Sequence, residues 1–132
     1  MKNICNKFNK FLDKNSDYFY FGFRVLIGLL FLLHGVQKAP KIFDGTMFIF
    51  SLIGLAAAIE VIGGALLILG LFTRYVAIIS GVEMVFAYFM AHASKGLSPL
   101  VNKGEPALLF FAAFLVLATF KSKKWAADNV LK

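Results

Sequence analysis

The chain has 132 residues, 60% of them hydrophobic, and a formal charge of +7, which is too apolar for a soluble domain of this length. One cysteine, Cys5, excludes an internal disulfide, a CxxC redox pair and any cysteine-rich metal or iron–sulfur site. The basic residues cluster at the ends of apolar runs, so the positive charge reads as a membrane-topology signal rather than a nucleic-acid footprint.

In residues 2–14, Ile4, Phe8, Phe11 and Leu12 share one helical face, with Lys2, Lys7, Lys10 and Lys14 elsewhere. This pattern predicts an interfacial helix lying on the membrane, against the alternative of a disordered basic tail. Four apolar runs of spanning length follow, at about 19–37, 47–72, 74–93 and 105–120. The first carries Arg24 near its start and His34 near its end. The second and third carry one acid each near mid-span, Glu60 and Glu83. The fourth is short, and Gly104-Glu105-Pro106 reads as its helix start, with proline tolerated in the first turn.

The connections "QKAPKIFDGT", "TR" and "ASKGLSPLVNKGE" are short, which forces neighbouring helices antiparallel. No small-x-small cleavage signature follows the first span in "LHGVQKAP", so it is expected to stay as an anchor. Ten basic residues (Lys2, Lys7, Lys10, Lys14, Arg24, Arg74, Lys121, Lys123, Lys124 and Lys132) fall on one side. Four (Lys38, Lys41, Lys95 and Lys103) fall on the other. The expected fold is all-α: an integral membrane four-helix up-down bundle, one domain over 1–132, with both termini cytoplasmic. External loops are expected at residues 38–46 and 93–104.

An α-helix turns about 100° per residue. Arg24, Gly28, Phe31, His34, Gly35 and Lys38 therefore share one side of the first span. Gly63 and Gly64 lie on the Glu60 face of the second. Small residues let backbones approach, so Gly28, Gly35, Gly63 and Gly64 are read as helix-packing positions. On the third span, Ser80 and Ala87 flank Glu83, whereas His92 lies on the opposite side beside Tyr88.

A lipid-facing carboxylate is expensive, so Glu60 and Glu83 are expected inside, paired or protonated. His34, Lys38, His92 and Glu105 belong to the outer half. The candidates for binding substrate or quinone are thus His34, Lys38, Glu60, Glu83, His92 and Glu105, with proton exchange assigned to Glu60, Glu83, His34 and His92. Each has a plainer reading: the acids as interhelical glue, the histidines as interfacial residues. Arg24 reads as snorkelling to the cytoplasmic surface. Neither Arg24 nor Lys38 is expected to reach Glu60. The Glu-x-x-His pairing of di-metal bundles is missing, and no metal site is expected.

Four elements in order, "RVLIGLLFLLHGVQK", "EVIGGALLILGLFTR", "EMVFAYFMAHASKG" and "GEPALLFFAA", resemble the DoxX family of small four-span membrane proteins. The basic N-terminal 17 residues lie outside the pattern. The resemblance implies a multi-pass plasma-membrane protein of a bacterium or archaeon. It also implies likeness to the membrane subunit of a thiosulfate:quinone oxidoreductase, or association with oxidative-stress or thiol-redox complexes.

The expected role is a non-catalytic or co-catalytic membrane subunit of a quinone-linked oxidoreductase system. The chain itself is expected to bind no cofactor other than quinone. The expected partners are the lipid bilayer and other proteins of a redox complex, with no nucleic acid and homo-oligomerisation left open. The rivals are a small proton-coupled transporter using buried Glu60 or Glu83, and a structural assembly protein. The ten-to-four basic bias argues against a transporter built of oppositely oriented copies.

Overall fold

The computed structural model describes residues 2–43, 51–120 and 124–130, and among these no strand occurs. Five α-helices follow in order: α1 (Lys2–Phe43), α2 (Leu52–Leu69), α3 (Thr73–Ala87), α4 (Pro99–Asn102) and α5 (Glu105–Thr119). The expected start of the second span at residues 47–50, and the side chains of Lys121, Lys123 and Lys132, lie outside the described residues.

α1 is a single helix of 42 residues, about 63 Å long and roughly twice the thickness of a bilayer core. Residues 2–14 are its first turns rather than a separate element. At the junction, Asn15 Nδ2 donates to the Phe11 carbonyl at 2.7 Å and Ser16 Oγ to the Asp13 carbonyl at 3.0 Å. The helix also runs through Pro40, where the sequence predicts an external loop from residue 38. A proline this close to a helix end removes one backbone bond near the terminus, which a long packed helix absorbs.

α2 starts at the Ser51 cap, whose hydroxyl accepts the Gly54 N–H at 3.1 Å. It stops at Leu69 because Gly70 turns left-handed, φ 69°, and its N–H closes back on Leu66 and Leu67. α3 is extended by a widened π-type turn at Tyr88–His92 and a 3₁₀ turn at Ala93–Lys95. Among the described residues, three helical stretches are long and apolar enough to cross a membrane: Ile4–Pro40, Leu52–Leu69 and Thr73–Lys95. α5, with 15 residues, is about 22 Å long and shorter than a usual span.

Packing follows the glycines. A Cβ on Gly28 would lie 2.9 Å from the Gly64 carbonyl oxygen, and one on Gly64 would lie 2.5 Å from Leu32 N. Gly35 meets Ala57 and Val61 farther along, so α1 and α2 run antiparallel with their backbones nearly touching. α3 and α5 are also antiparallel: Arg74 Nε donates to the Ala118 carbonyl at 2.8 Å, Gly81 faces Phe111 and Phe114, and Tyr88 faces Gly104. Phe31 of α1 packs edge-on against Phe114 of α5 at 4.9 Å. Phe31, Leu67, Phe114 and Leu117 form the centre of the core, sealed from solvent.

The outer surface carries many large apolar side chains. Leu26, Leu29, Ile62, Leu69, Ile78, Phe86, Leu109 and Leu115 are all exposed, as expected where the surrounding solvent is lipid.

Candidate functional site

The α2–α3 seam carries the two acids. The Leu71–Phe72 turn returns the chain so that Gly63 faces Ser80 and Val76. One turn away, Glu60 is brought to the level of Glu83. Glu60 is buried, and Lys38 Nζ from α1 lies 2.6 Å from its Oε2. The contact is a close ion pair that ties α1 to α2.

This corrects the expectation that Lys38 stays at the outer surface. Lys38 lies one turn beyond His34 on the face that packs against α2. Its four-carbon stem carries the ammonium inward while leaving the side chain 31% exposed.

Glu83 lies within electrostatic reach of both Glu60 and Lys38. Both its carboxyl oxygens are buried without a hydrogen-bond partner, as is the hydroxyl of Ser80, which is 0% exposed. The geometry thus joins a lysine, two carboxyl groups and a hydroxyl from three helices inside an apolar bundle. Such a cluster holds charge and hydrogen-bonding capacity where water is scarce, the setting in which protons are bound and passed.

The remaining candidates stand apart. His34 is exposed on α1, its ring edge-on to Phe110 at 5.3 Å. Glu105 is exposed in the first turn of α5. His92, in the π-type turn beyond α3, places its Nδ1 3.0 Å from the Asn102 carbonyl oxygen.

His92 belongs to a polar brace around the segment 93–104, which is largely exposed as expected but buries Asn102 and Gly104. Asn102 is buried. It donates to the Gly96 carbonyl at 2.6 Å and accepts the Gly104 N–H at 2.7 Å. The Tyr88 hydroxyl donates to the Leu97 carbonyl at 2.9 Å. A Cβ on Gly104 would run into the Tyr88 ring at 2.8 Å.

The opposite end of the bundle holds a second arrangement with no local signal in the sequence. Asp128 accepts the N–H groups of Phe72 at 2.6 Å and Thr73 at 3.0 Å, capping α3, while its own N–H donates to the Gly70 carbonyl at 3.0 Å. Arg24 is 0% exposed and donates from Nη2 to the Trp125 carbonyl at 2.6 Å. The Trp125 ring packs edge-on to Tyr18 and Phe21 at 5.3 and 4.9 Å. Arg24 therefore does not snorkel to a surface. The tail segment 124–130 folds over it and supplies an acceptor.

A separate apolar groove between α3 and α5, lined by Ala77, Gly81, Phe111, Phe114 and Leu115 among others, contains no acid. Among the described residues, no three His, Cys, Asp or Glu side chains converge as metal ligands.

The family model described as DoxX matches residues 19–93, which hold the span of α1, all of α2 and α3, and both acids. The chain belongs to the DoxX family. A protein of Haemophilus influenzae, described only as uncharacterized, is 38% identical to this DoxX protein over 132 aligned positions, covering 89% of this chain and 94% of the relative. A Bacillus subtilis protein with the description "Putative oxidoreductase CatD" is 32% identical over 112 positions, covering 80% of this chain and 81% of the relative. No solved structure matches this DoxX chain significantly.

Proposed function

We propose that this DoxX protein is a plasma-membrane subunit or accessory of a quinone-linked oxidoreductase system, acting on sulfur, thiol or oxidative-stress substrates through a partner. In this reading α1, α2, α3 and the shorter α5 cross the membrane as an up-down bundle with cytoplasmic termini, and the acid cluster opens toward the outer face. The observation that carries the reading is the Lys38–Glu60 pair beside unpartnered Glu83 and Ser80. The description of the Bacillus subtilis relative as an oxidoreductase supports it.

The donor set suits a quinone head group: the Lys38 ammonium and Ser80 hydroxyl donate, and the Glu83 carboxyl accepts. A bound quinone supplies a two-electron acceptor. The protein's own residues hold the head group by hydrogen bonds, exclude water from it, and keep a proton at the Glu83 carboxyl. The chain carries no dithiol, so electrons must come from a separate protein docking near exposed His34.

A second reading, a proton-coupled transporter, draws on the same unpartnered Glu83 carboxyl. In that case proton release and substrate uptake proceed without any redox partner.

Gentle detergent purification, with identification of co-purifying proteins and lipophilic molecules, separates the two. The redox reading expects a colourless chain, a co-purifying dehydrogenase-type partner, and coupling to quinone reduction that weakens in Lys38→Ala or His34→Ala. Turnover by the chain alone, or a tightly bound visible chromophore, rules it out. Proton-linked uptake into vesicles containing only this chain establishes the transporter. Activity of the complex unchanged after loss of His34, His92 and Glu60 together leaves a scaffold.

A further inference from the structure

We propose that Ser80, Glu83 and Glu60 enclose an internal water site that is entered past Lys38 and sealed from the Arg24–Asp128 end of the bundle. The inference rests on the acid cluster being the functional site, and it assigns the side from which that site exchanges water and protons.

Ser80 Oγ and both oxygens of Glu83 are buried without a hydrogen-bond partner, beside the Lys38–Glu60 ion pair. Leaving such groups unmet costs about 1–3 kcal/mol each. Buried polar groups in native proteins nearly always find a protein partner or a water. Water is the smallest ligand that offers donors to the carboxyl oxygens and both a donor and an acceptor to the serine. The serine points across the seam, since a Cβ on Gly63 would stand 3.3 Å from its Oγ, and Glu60 lies one turn from Gly63.

The exposures and the packing assign access to the Lys38 end. Glu60 is 3% exposed and its ion-pair partner Lys38 is 31% exposed, so contact with solvent runs along the lysine. In the other direction, Thr73 is seven residues before Ser80, about 10 Å along α3. The intervening Val76 and Ala77 are buried. Phe31 and Val76 both close on Gly63, at 3.4 and 3.3 Å from its Cβ position, with Leu67 sealed behind them. Beyond that apolar layer the tail covers the Gly70–Thr73 turn.

The test uses silver ion, which is small enough to follow water and converts a thiol to a silver thiolate with release of a proton. Ser80→Cys and, as a second position in the same site, Glu83→Cys are placed in a Cys5→Ser background. Each is exposed to silver from either face of right-side-out and inverted membrane vesicles. Free thiol remaining is then read by maleimide labelling after denaturation, on protein that elutes as the parent does. Ser98→Cys, at the exposed cap of α4, marks the face on which Lys38 opens, and Leu67→Cys probes the apolar layer.

At least tenfold faster loss of thiol is expected at both site positions from the Ser98 face than from the other, with Leu67→Cys protected from both. Protection of the site positions from both faces shows a dry seam and overturns the proposal. Equal reaction from both faces, or faster reaction from the Thr73 face, overturns the sidedness. Either outcome leaves the search for a redox partner unaffected, so the two readings fail separately.

Discussion

Lys38 and Glu60 meet across α1 and α2, and the pair decides how substitutions at either position behave. Removing one member of a buried pair strands the other, which in well-buried pairs costs about 3–5 kcal/mol. Lys38 is partly exposed, so a smaller loss of about 1–3 kcal/mol is expected for Lys38→Met or Glu60→Gln alone. The double variant is expected to recover most of it. A thermal double-mutant cycle in detergent reads this directly, and strictly additive losses would show that the 2.6 Å contact contributes nothing. Glu60→Lys sets two cations together and is expected to prevent assembly, whereas Glu60→Lys with Lys38→Glu restores it. The two acids were legible as interior groups because hydrocarbon leaves a carboxylate no other place. The lysine was not, because its Cα lies near the helix end and only the reach of its stem brings the charge to mid-bundle.

At the scale of the element, two glycines on neighbouring helices make opposite predictions. Gly22 has nothing within 4 Å of a Cβ position, and Gly64 would meet Leu32 N and the Gly28 carbonyl oxygen at 2.5 and 2.6 Å. Gly22→Ala is therefore expected to be neutral or stabilising by up to about 1 kcal/mol through helix propensity. Gly64→Ala must push α1 from α2 and is expected to cost about 1–3 kcal/mol. Equal thermal midpoints for the two variants would mean that the α1–α2 backbone contact is not tight. Asp128→Asn weakens the cap on α3 and the charge opposite Arg24. A loss of about 1 kcal/mol is expected, visible as earlier amide exchange at Phe72–Val76. Unchanged exchange there would remove the tail from the account of α3. The start of α5 at Glu105 follows from the proline chemistry read in the sequence, whereas the second span, expected to run to residue 72, stops at Leu69 because Gly70 turns left-handed. The π-type turn at Tyr88–His92 does not follow from the sequence, since no residue there signals it locally.

For the whole molecule, the basic bias predicts cytoplasmic termini. Ser98→Cys in the Cys5→Ser background is expected to react with an impermeant maleimide from outside intact cells, and reaction only from inside reverses the orientation. The first turns of α1 test a different property. Ile4, Phe8, Phe11 and Leu12 are exposed, so deleting residues 2–14 is expected to leave the thermal midpoint within about 2 °C. A larger fall would mean that the segment packs on something in the native membrane.

By itself the sequence determined the class of the protein, its family, the existence of its apolar helices and the inward placement of the Glu60 and Glu83 carboxyl groups. These depend on summed hydrophobicity and on the absence of water in hydrocarbon, which are properties of local composition. Only the tertiary structure decided which charge meets Glu60, that Arg24 is buried beneath the tail, that residues 93–104 form a braced corner, and that Ser80 joins the acid cluster. Each of these depends on side-chain reach and on register between helices far apart in the chain. An ångström of displacement separates an ion pair from two solvated charges there, and no periodicity along the sequence records it.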